Sequence, residues 1–272
     1  MSKEAIKKIL PAPIWRAGSQ FYWGWYNRGR HEAAKVTSPV WRRNLKRLSA
    51  YENIHTGKRA FIIGNGPSLK GMDLRQLKNE ITFGSNRIYL MFSEMGFPTT
   101  YLVSVNDLVL EQCAQEMAIL DIPKWITWRA RNHFTDGDKT LFLDSDYTGS
   151  EAFNHTSLAS RTFEGFTVTY VALQLAYLMG IREVILIGVD HNFATKGPAN
   201  SVVVSSGADP NHFSGSYFGQ GFKWQLPDLD GSERAYMLAR QAYEADGRKV
   251  LDATVNGKLN IFDKADYRTL FR

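Results

Sequence analysis

Ala60-Phe61-Ile62-Ile63-Gly64-Asn65-Gly66-Pro67-Ser68-Leu69 is the stretch on which the fold turns. Four apolar residues run directly into a glycine, the signature of a short strand buried on both faces. The glycines after it let backbone approach a phosphate. Ser68, or the N–H groups that follow, can donate at the start of the next helix. The turn is not a P-loop, because no Gly-Lys-Ser/Thr ending follows. It is also a poor dinucleotide fingerprint: Leu69 stands where the third glycine is wanted, and no acid closes the second strand.

The same grammar repeats downstream. Ile81-Thr82-Phe83-Gly84-Ser85, Tyr101-Leu102-Val103-Ser104-Val105 and the weaker Trp125-Ile126-Thr127-Trp128 read as strands. So do Val184-Ile185-Leu186-Ile187-Gly188-Val189 and Lys249-Val250-Leu251. Helical stretches lie between them: Thr169 to Met179, closed by Gly180, and Ser232 to Ala245, with Ser232 as N-cap and Gly247 at its end. Strands alternating with helices imply an α/β fold with a Rossmann-like, doubly wound, mostly parallel sheet. Residues 191–231 break the pattern. They are rich in Gly, Pro, Asn, Ser and aromatics, and too long for an ordinary connection, so they read as a lid or binding loop.

Upstream, residues 1–57 read as a helical or irregular lead-in broken by Pro11, Pro13 and Pro39, with the catalytic domain over 58–272. The chain has 272 residues, 44% of them hydrophobic, and a net charge of +6. Residues 1–50 hold eleven Lys or Arg and two acids, so their net charge is +9 and that of the remainder −3. Trp15, Phe21, Tyr22, Trp23, Trp25, Tyr26 and Trp41 share that segment. Such a basic, aromatic N-terminal arm suits an anionic membrane surface, or packing on the core or on a second subunit of a homo-oligomer. No nucleic-acid reader motif is present, and nucleic acid is not an expected partner. No apolar run approaches the ~18 residues of a membrane span, and no signal-peptide pattern opens the chain. The lone Cys113 permits no internal disulfide, so the expected compartment is the cytoplasm, with peripheral attachment at the inner face of the membrane as an option.

Open parallel sheets bind ligands at the carboxyl ends of their strands. Those ends carry Asn65, Asn86 and Asn106, about twenty residues apart, then Asp190-His191-Asn192 and Asp252 to Asn256. The asparagines offer amide donors and acceptors to one crevice, which suits the phosphate, ribose and base of a nucleotide. Asp190 reads either as a cap on the next turn or as a functional acid. In the long loop, Asp209-Pro210-Asn211-His212-Phe213 holds one candidate general base, His212, and His191 is the other. No HExxH or 2-His-carboxylate spacing is visible, and no metal ligands are assigned. Cys113, His133 and His155 have no role in this reading.

Gly64-Asn65-Gly66-Pro67-Ser68-Leu69, with Asn86, Asn106 and Gly188-Val189-Asp190, resembles the small bacterial sialyltransferases of glycosyltransferase family 42. The resemblance covers roughly residues 58–192. It implies that Gly64, Asn65, Gly66, Ser68, Asn86 and Asn106 line a CMP pocket, and that Asp190 holds the ribose or sugar end. Thr167, which opens the matching central helix, and Asn192 complete the donor-binding set. After Asp190 the family has aromatic residues where this chain has His191-Asn192-Phe193. Gln220 stands where the family's basic histidine lies, and His212 is the substitute. The chain looks still more like a broader superfamily that includes archaeal 6-hydroxymethylpterin diphosphokinase-like proteins and flagellin glycosyltransferases.

The resemblance implies a glycosyltransferase acting in polysaccharide or lipopolysaccharide biosynthesis. It would move a sugar from a nucleotide-sugar, CMP-linked by preference, to a glycan or lipid-linked acceptor. No tightly bound cofactor is expected, with Mg²⁺ left open. Two alternatives stand beside it. One is a pterin diphosphokinase-like phosphotransferase using ATP and Mg²⁺, with Asp107, Asp190 and Asp209 as metal ligands. The other is a non-catalytic nucleotide- or glycan-binding protein.

Overall fold

The computed structural model describes residues 33–271. Residues 1–32, which carry most of the basic, aromatic arm, lie outside the described residues. The chain divides into two compact units, 1–43 and 44–272. The domain start expected at residue 58 therefore falls inside the second unit. The reason is local: Asn44 donates to the carbonyl of Phe142 at 2.7 Å and accepts from its N–H at 2.8 Å, and Asn53, His55 and Gly57 donate to the carbonyls of Leu178, Met179 and Gly180.

Helices among the described residues include α1 (Pro39–Ser49), α2 (Phe92–Met95), α3 (Asp107–Ala118), α4 (Val168–Leu178) and α5 (Leu229–Ala245). The strands are β1 (Arg59–Ile63), β2 (Ile81–Ser85), β3 (Tyr101–Ser104), β4 (Lys124–Thr127), β5 (Thr140–Leu143), β6 (Ser145–Asp146), β7 (Thr162–Phe163), β8 (Glu183–Ile187), β9 (Val202–Val204), β10 (Lys223–Gln225), β11 (Lys249–Asp252) and β12 (Asp263–Lys264). Eight of them form one sheet in the order β12-β11-β8-β1-β2-β3-β4-β5. Every pairing in it is parallel. This is the Rossmann-like, doubly wound sheet expected from the alternation of strands and helices.

Its topology locates the site. The chain runs outward from β1 through β5, then returns to lay β8 on the other side of β1. Order reverses between β1 and β8, and the crevice of a doubly wound sheet opens at the carboxyl ends of the strands at such a switch point. Those ends are Gly64 and Gly188.

The core explains the rigidity of this frame. All ten residues of α4 from Thr169 to Leu178 are buried, as a helix that is apolar all round requires. Besides Thr169 in the first turn, Gln174 is the polar exception. Its amide serves the N–H groups of Asn154 and Phe163 and the carbonyl of Phe163, tying the 145–163 segment to the helix. Gly180 follows α4 with φ +83°, and a Cβ there would meet Thr56 at 2.8 Å.

One local expectation changes. Ser232 does not cap α5: the helix begins at Leu229, and Asp228 accepts from Gly231 N–H at 2.8 Å. Asp228 has the non-helical backbone of a cap, with φ −94° and ψ 93°. Residues 191–231, read as a lid or binding loop outside the strand–helix pattern, also carry strands of their own. β9 and β10 pair antiparallel within them, and Gln112 on α3 bonds both the N–H and the carbonyl of Lys223.

Candidate active site

A cleft of about 620 Å³ opens at the switch point. Gly64, Asn65, Gly66, Asn86, Asn106, Thr167, Asp190, His191, Asn192 and His212 all line it. The structure thus brings together nearly every residue assigned from sequence. Ser68 is the exception, and Asp190 explains why. The Ser68 hydroxyl donates to Asp190 Oδ2 at 2.6 Å, and its N–H donates to Oδ1 at 3.1 Å.

That lock changes the role of the glycines. Gly64 N–H donates to Ile187 O and Gly66 N–H to Gly188 O. A Cβ on Gly64 would lie 2.3 Å from Gly188 O, and one on Gly66 only 1.8 Å from Asp190 Oδ2. The turn is stripped of side chains so that it can approach the end of β8, and phosphate contact is not needed to explain it. Asp190 is accordingly an anchor for the turn. Burial pushes its carboxyl up and Asp252 adds to this, against the lowering by Ser68.

The three asparagines also divide. Asn65 donates to Ser85 O at 3.0 Å, while its Oδ1 is buried without a hydrogen-bond partner. Ser85 Oγ, also in the cleft lining, is buried and unpartnered as well. Asn86 adopts φ +49°, and its Oδ1 accepts from Ser104. Asn106 caps α3, accepting from Val109 N–H at 3.1 Å, and keeps only its Nδ2 donors for another partner. The segment from Asp252 to Asn256 lies behind the cleft. Asp252 is fully buried and accepts from Lys264 Nζ, and Thr254 accepts from Val189 N–H.

The two candidate bases are distinguished by their partners. His191, at φ +52°, is paired through Nε2 with Glu233 at 2.9 Å. His212 is paired through Nδ1 with Asp209 at 2.7 Å, which leaves Nε2 for a substrate. Its ring stacks on Tyr217 at 4.0 Å, and Phe193 and Phe218 meet it edge-on. Phe213 N–H donates to Asn65 O at 2.9 Å, so the base is tied to the glycine turn. Burial would raise the Asp209 carboxyl, but hydrogen bonds from His212, Asn211 N–H and Phe218 N–H outweigh it and hold the group below its ordinary value.

α4 presents its N-terminus to the cleft. Thr167 caps it, accepting from Thr169 N–H, and Thr167 to Thr169 line the cleft. Gly165 and Phe166 before it both have positive φ, +51° and +64°. The Phe166 ring is wedged between Gly149 and Gly231, where any Cβ would lie within 3 Å of it. Thr167 is therefore both a cap and a cleft residue.

Sequence reasoning missed Arg129, Tyr147 and Glu164, which gather with Asp107 at the far end of the cleft. Arg129 sits two residues past β4, so the strand-end rule extended to that weak strand would have found it. Tyr147 and Glu164 arrive through the two-residue strands β6 and β7, which leave no periodicity to read. The guanidinium of Arg129 binds Asp107, Glu164, the hydroxyl and carbonyl of Ser145, and Val105 O. Glu164 is half-buried, and desolvation raises its carboxyl despite Arg129 and Ser145. The three acids named for Mg²⁺ are each engaged elsewhere: Asp107 by Arg129, Asp190 by Ser68 and Asp209 by His212. Among the described residues no group of three or more His, Cys, Asp or Glu is placed to hold a metal ion.

Residues 37–196 match the model of the 6-hydroxymethylpterin diphosphokinase MptE-like family. The chain belongs to that family. A similar architecture occurs in the MAf glycosyltransferase from Magnetospirillum magneticum AMB-1, with a TM-score of 0.52 and 15% identity. The likeness covers 84% of this chain but 38% of that glycosyltransferase, and at this identity it shows a shared fold. No curated protein matches the chain. Among the described residues no helix is long and apolar enough to cross a membrane.

Proposed function

We propose that this MptE-like chain is a glycosyltransferase. It takes a sugar from a nucleotide-activated donor, CMP-linked by preference, and passes it to a glycan or lipid-linked acceptor in cell-surface polysaccharide biosynthesis. The observation that carries this reading is the Asp209–His212 pair, with Nε2 left free in the cleft and the loop tied to Asn65. His212 Nε2 takes the proton of the acceptor hydroxyl. The hydroxyl oxygen then attacks the anomeric carbon, the bond from that carbon to the phosphate oxygen breaks, and the nucleotide leaves with both electrons. Asp209 keeps Nδ1 protonated and steadies the imidazolium as it forms.

The electrostatics of the cleft favour a single phosphate. Among the described residues its lining holds one arginine, fully engaged, and four acids: Asp107, Glu164, Asp190 and Asp228. The N-termini of α3, α4 and α5 all line the cleft, and α4 is the one with no acid in its first turn, so its positive end, equivalent to about half an elementary charge, is the least offset. That suits the one charge of a nucleoside monophosphate diester better than a diphosphate, and no tightly bound metal is required. The basic, aromatic N-terminal stretch would hold the enzyme at an anionic membrane surface on the cytoplasmic side, near a lipid-linked acceptor.

The family match and the acidic lining favour one other reading, a diphosphokinase-type phosphotransferase in which Mg²⁺ offsets the acids. Calorimetry and thermal shift with CMP, CDP, UDP, GDP, ADP and ATP, each with and without Mg²⁺, separate the two. A ligand at 100 times its Kd stabilises the fold by about 2.7 kcal/mol. Metal-independent preference for CMP is the expected result. Preference for ATP with Mg²⁺ replaces the glycosyltransferase by the phosphotransferase.

A further inference from the structure

The Arg129 end of the cleft has a composition that a phosphate or a free carboxylate would not choose. All arms of the guanidinium are engaged by Asp107, Glu164, Ser145 and Val105, so no donor is left over for an anion. Two carboxylates against one guanidinium leave the cluster with a net negative charge when all three are ionised. It repels phosphate and welcomes N–H or O–H donors. The Asp107 side chain is 53% exposed, so its carboxylate has room to accept another hydrogen bond.

Above Arg129 lies a ring that the fold itself does not need. Tyr147 is 42% exposed, and the guanidinium sits 4.5 Å from its centroid. A ring backed by a cation on one side and open to the cleft is a platform for a planar, π-faced partner. Asn106, next in sequence to Asp107, has spent its Oδ1 on the helix cap and keeps its Nδ2 donors. An amide donor and a carboxylate acceptor thus stand on adjacent residues beside a stacking ring. Cytosine presents the complement, with acceptors at N3 and O2 and a donor at its 4-amino group. Uracil has a carbonyl where cytosine has the amino group, and a carboxylate repels it.

We infer that the Asp107–Arg129–Tyr147 end of the cleft is the nucleobase subsite, with Tyr147 stacking on the ring and Asp107 selecting cytosine by its amino group. This rests on the proposal that the cleft holds a CMP-linked nucleotide, and it assigns the residues that read the base.

The test is isothermal titration of the full-length protein with CMP and with UMP, in wild type, Tyr147→Ala and Asp107→Asn. Wild type should bind CMP at least about tenfold tighter than UMP. Tyr147→Ala, a change at an exposed ring, should weaken both about tenfold and keep their ratio. Asp107→Asn should weaken CMP alone and bring the ratio towards one, because an amide can also donate to the uracil carbonyl. Circular dichroism and melting curves of both variants separate loss of binding from loss of fold. Equal wild-type affinity for CMP and UMP overturns the inference. So does a folded Tyr147→Ala protein with unchanged affinities, or an Asp107→Asn protein that keeps the wild-type ratio. If neither nucleotide binds wild type, the nucleotide reading itself fails, and the subsite fails with it.

Discussion

Replacing Gly66 by alanine tests the lock between the glycine turn and Asp190. Gly66 has φ −69° and ψ 157°, which alanine adopts freely, so the cost is steric. The new Cβ would lie 1.8 Å from Asp190 Oδ2, 2.4 Å from its Cγ and 2.9 Å from Gly188 O, where ordinary contact begins at 3.4 Å. The carboxylate must retreat by roughly 1.5 Å, which takes it out of range of Ser68 and its bonds of 2.6 and 3.1 Å. Hydrogen bonds to a charged group are worth about 1.5–3 kcal/mol each, and water recovers part of the loss, so Gly66→Ala should cost about 3 kcal/mol. Asp190→Ala alone should cost a similar amount, about 3 kcal/mol, by removing the same two bonds. In the Asp190→Ala background the added methyl meets only Gly188 O, and its cost should fall to about 1 kcal/mol. Urea unfolding of the four proteins measures this cycle, with an expected coupling of about 2 kcal/mol. Costs that add to within about 0.5 kcal/mol would refute the reasoning, because Asp190 would then not be what excludes a side chain at Gly66.

Four further outcomes follow from the same geometry. His212→Ala should lower sugar transfer by about 10²–10⁴-fold and leave CMP affinity near wild type, as single-turnover kinetics beside calorimetry will show. The Asp209 carboxyl lies below its ordinary value in the folded state, so its stabilisation is complete above about pH 4 and is lost as pH falls through the lower folded value. The stability gap between wild type and Asp209→Asn should therefore hold from pH 5 to 4 and narrow by pH 3 in urea titrations. Asp228→Ala should cost about 1 kcal/mol by uncapping α5, measured as a lower urea midpoint at constant m. Gln112→Ala removes both side-chain bonds that tie β10 to α3, and limited proteolysis within residues 191–231 should become faster, with little change in global melting.

Some of this molecule was legible one segment at a time. The β1 run from Ala60 to Ile63, the β2 run from Ile81 to Ser85 and the β8 run from Val184 to Ile187 are short, apolar and closed by small or polar residues. A strand buried on both faces leaves that trace without any tertiary information. α4 was readable for the same reason, because Gly180 marks the left-handed residue that ends it. β5 was not: Thr140-Leu141-Phe142-Leu143 is only four residues long and follows a polar loop, and it is the edge strand whose Phe142 backbone Asn44 satisfies. The cap of α5 was misplaced by four residues because Ser232 and Asp228 are both good caps in isolation.

By itself, then, the sequence determined the alternation of strands and helices, and with it the parallel sheet and the list of polar residues at the strand ends. Those follow from hydrophobic period and chain direction, which are local properties. Tertiary structure decided what each polar residue is for. Asp190 became the anchor of the glycine turn because Ser68 reaches it across 122 positions of sequence. His212 was singled out from His191 by partners, Asp209 against Glu233. Tyr147 and Glu164 entered the site through strands too short to announce themselves, and Arg129 from just past β4. A side chain's chemistry is written in its identity, but its free valences depend on which distant groups occupy the others, and only the folded chain assigns those.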